Sequence, residues 1–313
     1  MKLIIYILIA VTILNGCKSE TKKDGPTDNL ASGTITIATD ATLEPLIKAE
    51  IAAFQSAFPE AHIKLEVYNE PQLFEKLLSD SVRLIIAARE LTSEEKKVYE
   101  ARQMEPKVLK LASDGVAFIS NVAMPDSINY RDLVEILAGR MKTWKQLNSK
   151  LPDHVIQMVF DNPSSSTVHY ISEYMKIVPS ANITALNDNQ QVIEYVKKNK
   201  YSLGIIGLNW ISDGRDKTTG SFYQDIHVMG VNPPDTHPAH GAYYKPYQAW
   251  LGKKCYPFTR GVYAISNEAR NGLGTGFMAY LKGDGQTIVQ QGGLFPLGRR
   301  AWIREVEIQQ ELK

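Results

Sequence analysis

From Thr34 onward, short apolar strands alternate with helical stretches, and this alternation restricts the fold more than any other feature. Thr34-Ile35-Thr36-Ile37-Ala38 is β-branched and alternating, which reads as a strand. Pro45 suits the first turn of a helix, and Leu46, Ile47, Ile51, Phe54 and Phe58 form its apolar stripe. Ile63 to Val67 alternates again, and Pro71 opens a helix with Leu73, Phe74, Leu77 and Leu78 turned inward. Leu84 to Ala88 is a continuous apolar run, as expected of a strand covered on both faces. Thr92 with Glu95 makes a capping box for the next helix. The order β-α-β-α-β-α predicts an α/β chain with a mainly parallel sheet and helices on both sides.

The middle of the chain repeats the theme. Strands are expected at Val116 to Ile119, Val155 to Phe160 and Leu203 to Ile206. Helices are expected around Leu133 to Leu137, from about Ser164, and around Val192 to Val196. Residues 212–256 are rich in Gly, Pro and Asp and read as loops, with one strand near Ile226 to Val228. From Arg260 the pattern returns, with a strand at Val262 to Ile265 and a helix around Phe277 to Leu281. We therefore expect lobe one to hold residues 33–113 plus 256–313, and lobe two residues 114–255. The chain then crosses between lobes at least twice, which makes a hinge.

The N-terminus reads as an address. Lys2 precedes an apolar run from Leu3 to Leu14, too short for a ~30 Å hydrocarbon core. Residues 1–16 fit a signal peptide, and Leu14-Asn15-Gly16-Cys17 resembles a bacterial lipobox, which makes Cys17 the expected lipidation site. Residues 17–32 are polar and read as a flexible tether with a reach of about 20 Å. The expected location is the cell envelope, anchored to the bilayer through Cys17 and facing periplasm or exterior. Cys17 and Cys255 are the only cysteines, which excludes a disulfide scaffold and a Cys-rich zinc site. From Cys17 onward 34 basic residues balance 34 acidic ones, a poor match to nucleic acid.

One segment carries the clearest chemistry. Phe160-Asp161-Asn162-Pro163-Ser164-Ser165-Ser166-Thr167 ends a strand and starts a helix with hydroxyl residues. A helix start exposes free N–H groups and partial positive charge, so these hydroxyls suit an oxyanion. Asp161 or one of the serines also suits a simple N-cap. Thr42 lies just after the first strand and can face the same cleft. Arg89 follows a buried strand at the edge where ligands of open α/β sheets sit, and it suits either an anion or a nearby carboxylate. His237 and His240 with Asp235 lack a third ligand at metal spacing and read as an exposed loop. Ser166 and His169 come without a Gly-x-Ser-x-Gly elbow, so no enzyme is expected, and neither is a metal or cofactor.

Several segments resemble the PstS-type phosphate-binding proteins of ABC importers, in order, over roughly residues 34–297. Ile35 to Leu46 is similar to that family's first strand and ligand loop, with Asp40, Thr42 and Leu43 in the loop. Ala88 to Glu95 resembles its Ser-Arg-x-Leu-x-x-Glu segment, and Asp114 to Asn121 its strand entering the second lobe. Gly139 to Trp144, Ser165-Ser166-Thr167, Tyr256-Pro257-Phe258-Thr259-Arg260 and Gly285 to Pro296 match further segments. The resemblance implies a two-lobed periplasmic-binding-protein-like fold of type II, with the ligand cleft between lobes. It implies phosphate or a related oxyanion as ligand and an ABC transporter permease as partner. The ligand set it implies is Asp40, Thr42, Leu43, Arg89, Asp161, Ser165, Ser166 and Thr167. The family commonly carries Arg where Asp161 stands, and Gly-Ser where Thr39-Asp40 stands. A single carboxylate beside phosphate accepts the proton of the monohydrogen anion, whereas several would repel it. The alternatives are the same fold with a different small ligand, or an envelope protein whose cleft binds a partner.

Overall fold

The computed structural model describes residues 28–179, 183–211 and 225–298. The expected signal peptide at 1–16 and the expected lipidation site Cys17 lie outside the described residues. The first lobe begins with β1 (Gly33–Asp40), α1 (Glu44–Ala57), β2 (Ala61–Tyr68), α2 (Glu70–Leu78), β3 (Leu84–Ala87) and α3 (Ser93–Ala101). These match the apolar periods of the sequence, and the Thr92–Glu95 capping box has both its hydrogen bonds. Strand β1 runs parallel to β2 and to β3.

The next strand, β4 (Lys107–Asn121), is longer than the sequence pattern indicates. Only Val116 to Ile119 reads as a buried run, because Lys107, Val108 and Lys110 at its start are exposed. After it come β5 (Ser127–Asn129), α4 (Tyr130–Leu137), α5 (Trp144–Leu147), β6 (Gln157–Phe160), α6 (Ser166–Met175) and β7 (Thr184–Ala185). Then follow α7 (Asn189–Lys198), β8 (Ser202–Gly207), β9 (Ile226–Val228), β10 (Gly230–Asn232) and α8 (Gln248–Gly252). The chain returns through β11 (Thr259–Ser266), α9 (Leu273–Lys282), α10 (Gln286–Gln291) and β12 (Phe295–Pro296).

The sheet order is β2-β1-β3-β11-β4-β8-β6-β7, with β9 and β12 also paired to β4. It is mixed rather than mainly parallel. Strand β11 lies antiparallel to both β3 and β4, and β4 lies antiparallel to β8. The parallel ladders survive at the outer parts of the sheet, where βαβ crossovers build it. At its middle one strand leaves the first lobe and another returns to it, so the two must run in opposite directions.

The apolar cores divide at these two strands. Two clusters draw on residues up to Ala112 and again from Val262 onward. A third uses residues from Val116 to Phe258. The chain thus passes between cores along β4 and back along β11, where Asp114 pairs directly with Arg260 in the ladder. This is the α/β, two-lobed, periplasmic-binding-protein-like architecture, with a cleft between lobes.

Glu50 on α1 is an exception inside the first lobe. It is fully buried, and neither carboxylate oxygen has a partner among the described residues. Burial pushes its carboxyl from an ordinary 4.5 up to about 8. Between those values the folded chain keeps a proton that the unfolded chain has released, so stability falls as pH rises through the window. The slope is about 1.4 kcal/mol per pH unit, or roughly 4–5 kcal/mol in all. Glu50→Gln removes this contribution. Urea unfolding at pH 5 and pH 8 should show the variant's advantage growing with pH.

Candidate functional site

The site grows from the strand ends that meet between the lobes. Strand β1 ends at Asp40, which is buried and caps a single 3₁₀ turn, Ala41–Leu43. Its Oδ1 accepts from Thr42 N at 2.8 Å and from Thr42 Oγ1 at 2.6 Å. The same oxygen accepts from Ser166 Oγ at 2.9 Å, across the cleft. Thr42 Oγ1 and Ser166 Oγ are 3.2 Å apart. Thr42 and Ser166, placed by sequence on opposite lobes, are therefore in direct contact.

Two further bonds seat this turn on the second lobe. Thr42 O accepts from Asn209 Nδ2 at 2.5 Å and from Trp210 Nε1 at 3.1 Å. Gly207 permits the approach, since a Cβ there would meet Thr42 O at 3.2 Å. Leu43, in the same turn, is fully buried in the first lobe's core, so its side chain supports the turn from below.

The cation of the site is Arg260, at the start of β11. It is buried, and its Nε donates to Asp114 Oδ2 at 2.9 Å. Nη1 donates to Ser166 Oγ and Nη2 to Thr42 Oγ1, both at 3.0 Å. One guanidinium thus ties the hinge strands to hydroxyls on both lobes, and its planar fork is suited to carboxylate, phosphate and related oxyanions. Burial pushes the Asp40 and Asp114 carboxyls up, and the charge of Arg260 opposes that push in both.

At the start of α6, Ser165 is the N-cap, accepting from Val168 N. Asp161 is therefore not the cap. It is buried and accepts from Thr167 Oγ1 and Asn189 Nδ2, both at 3.2 Å. Ser165 Oγ and Thr167 Oγ1 are 2.7 Å apart. Burial raises the Asp161 carboxyl and the nearby Asp40 charge raises it further, against hydrogen bonds from Ser165 and Thr167.

Arg89 takes the carboxylate option of the two the sequence left open. Its Nε donates to Glu70 Oε1 at 2.8 Å, and Nη1 and Nη2 hold both oxygens of Glu95. The guanidinium also stacks on Phe74, 3.5 Å from the ring centre. With these partners its donors are taken by first-lobe carboxylates, although the side chain still lines a cavity between the lobes with Ser164, Ser165 and His169. Glu70 also meets His169 Nδ1 of α6 at 2.5 Å, a second tie across the cleft. Burial pushes the Glu70 carboxyl up, but His169 and Arg89 together hold it below the usual range. The Glu70 hydrogen bond raises His169 against the effect of burial.

Of the eight residues expected at the ligand, the structure brings Asp40, Thr42, Ser165, Ser166, Thr167 and Asp161 together, buries Leu43 in the core beneath them, and places Arg89 with Ser165 on a neighbouring cavity. Arg260 and Asp114 were not among them. The available signal was Arg260 as the one charge of β11 and Asp114 just before a buried apolar run of β4, since a buried charge demands a partner.

Comparison with known proteins agrees with this fold. The model of the PBP superfamily domain matches residues 24–284, and the chain belongs to that superfamily, a class of binding proteins rather than catalysts. The phosphate-binding protein PstS of Staphylococcus saprophyticus is 26% identical over 213 residues, covering 67% of this chain and 62% of that protein. Against the first curated relatives the match spans between half and about two thirds of their length. An ABC-type phosphate transport receptor from Vibrio cholerae superposes with a TM-score of 0.60 at 17% identity, covering 84% of this chain and 99% of that one. The OxyR2 E204G regulatory domain from Vibrio vulnificus also superposes, with a TM-score of 0.52 at 12% identity, covering 83% and 98%. Likeness at these identities shows the fold, so the ligand must be argued from the site.

The buried pair at the hinge should behave asymmetrically. Arg260→Met strands Asp114 in the core and should cost about 3–5 kcal/mol. Arg260→Met combined with Asp114→Leu should recover most of that loss. Urea denaturation of the single and double variants measures both.

Proposed function

We propose that the chain is a solute-binding lipoprotein that captures phosphate, or a related oxyanion, between its lobes for an ABC importer. The observation that carries this reading is the Arg260 guanidinium, buried at the hinge and aimed at hydroxyls from both lobes. An oxyanion at that point takes donors from Arg260 and, once their hydroxyls turn away from Asp40, from Thr42 and Ser166, so its binding and lobe closure are one event. Neutral hydroxyls and a single guanidinium suffice once closure excludes water. Asp40, already among these hydroxyls, is placed to accept the proton of a monohydrogen oxyanion, which fully deprotonated sulfate lacks. The names of the curated relatives, phosphate-binding proteins, support the same ligand. The V. cholerae receptor is described as ABC-type, which supports an importer as recipient.

Calorimetry of the full chain in detergent should show saturable phosphate binding and weaker sulfate binding. Thr42→Ala and Ser166→Ala should each weaken phosphate by about ten- to hundredfold, the value of ~1–3 kcal/mol for a hydroxyl lost from a buried anion. Wild-type affinity in both variants would place the ligand elsewhere.

The anchor belongs to the same proposal. An acylated Cys17 with a polar tether would hold the folded part close to the bilayer surface outside the cytoplasm. Wild type should partition into the detergent phase on phase separation, and Cys17→Ser should stay in the aqueous phase. Mass spectrometry showing residue 17 unmodified in mature protein would remove this part of the reading.

A further inference from the structure

The Glu70–His169 contact spans the lobes and lies outside the oxyanion cradle. Glu70 opens α2, whose Leu73, Phe74 and Leu77 pack into a first-lobe core. His169 sits on α6, whose Ile171 and Met175 pack into the second-lobe core. Opening the cleft moves one core against the other and so parts these two side chains. They meet on the wall of a cavity of about 1020 Å³ between the lobes. Glu70 is buried there, whereas His169 is half-buried, so solvent reaches the imidazole.

The bonds of the ring call for an imidazolium. Nδ1 meets Glu70 Oε1 at 2.5 Å, and Nε2 meets Glu173 Oε1 at 3.1 Å, one turn further along α6. A neutral imidazole has one N–H and one lone pair, so it would turn a lone pair on one of the two carboxylates. Only the protonated ring donates to both. Glu70 has a partner without this contact, since its Oε1 also accepts from Arg89 Nε within the first lobe. An open cleft therefore leaves Glu70 paired and takes the imidazolium away from it. The charged groups around the ring are Glu70 and Glu75 from α2, Arg89 after β3, Glu95 from α3 with Arg102 at its end, and Glu173 from α6. Arg89 already serves Glu70 and Glu95, and Arg102 donates to Leu78 O. These carboxylates outnumber the guanidiniums, which favours one more positive charge at the ring.

We propose that His169 is a pH-sensitive latch on the cleft: as imidazolium it ties α6 to Glu70 and holds the lobes together, and as neutral imidazole it lets them part. The Glu70 bond exists only in the closed state, and it raises the closed chain's His169 above 6.5 against the effect of burial. The latch is therefore complete below the ordinary imidazole value and is lost as pH rises through the raised one. At the acid end it lasts until Glu70 takes a proton. Burial favours that protonation, but the His169 and Arg89 bonds hold Glu70 below its ordinary 4.5. Closure is thus strongest in weak acid. The latch uses none of Arg260, Thr42 and Ser166, so it does not rest on the oxyanion reading.

The test follows the Trp210 indole resonance in the nitrogen-15-labelled full chain in detergent, with no ligand added, from about pH 5.5 to about pH 8.5. Trp210 Nε1 donates to Thr42 O of the other lobe, so its shift reports closure, and Trp210→Phe identifies the signal. The closed-to-open ratio should fall about two- to fivefold across this range, as for one part-exposed ion pair. His169→Gln keeps a donor for Glu70 but does not titrate, so its profile should lose this change. Glu70→Gln leaves Arg89 with Glu95 and should lose it too. Thermal melts of both variants confirm folding. A wild-type profile identical to that of His169→Gln overturns the latch. Because no ligand is present, that result leaves the oxyanion reading standing, and a failure of phosphate to bind leaves the latch standing.

Discussion

The Arg260–Asp114 ion pair is the interaction on which the cleft depends. The two residues face each other in the ladder between β4 and β11, the strands that carry the chain out of one core and back into the other. Both are buried, and such a pair is weak as a source of stability but demanding in geometry. Asp114 takes Nε and so fixes the plane of the guanidinium. The remaining nitrogens then point at Thr42 on one lobe and Ser166 on the other. A hinge usually absorbs motion some distance from the ligand. Here the two strands that join the lobes supply the cation themselves, so the charge proposed to meet an oxyanion sits between the lobes rather than on one of them.

The fold was more legible than the site. Strands β1, β2 and β3 announce themselves because burial on one or both faces imposes a short apolar period, and Thr92 with Glu95 announces a helix start through purely local hydrogen bonds. The first half of β4 is silent, because Lys107, Val108 and Lys110 are exposed and break the pattern. The antiparallel insertion of β11 is silent too, since it depends on where a distant strand docks. Within the site, Ser165, Ser166 and Thr167 were visible as hydroxyls at a strand-to-helix turn. Arg89 occupied an equally suggestive turn, but Glu70 and Glu95 claim its donors, and Glu70 is recruited from 19 residues away. Arg260 meets Asp114 across a separation of 146 residues and Thr42 across 218, contacts that no local pattern encodes.

Charge placement sets the character of the cleft. Asp161 stands where the resemblance led to an expectation of Arg, and the guanidinium beside Thr42 and Ser166 comes from β11. One wall of the cleft is acidic, with a cation at its base. Asp40 and Asp161 both sit above the ordinary carboxylate range, because burial penalises their charge. Across the cleft mouth, the Glu70–His169 contact adds a tie that does not involve the ligand cradle. The result is a cleft with a guanidinium at its base and carboxylates on one wall rather than a single anion-attracting basin.

The central claim is that Arg260, held by Asp114, is the cation that receives an oxyanion between the lobes. The most direct measurement is a crystal structure of the chain grown with phosphate. The account predicts oxyanion density about 3 Å from the Arg260 terminal nitrogens and from the Thr42 and Ser166 hydroxyls, replacing their mutual contact. Phosphate density elsewhere on the molecule, with Arg260 still bonded only to Asp114, Thr42 and Ser166, would contradict it.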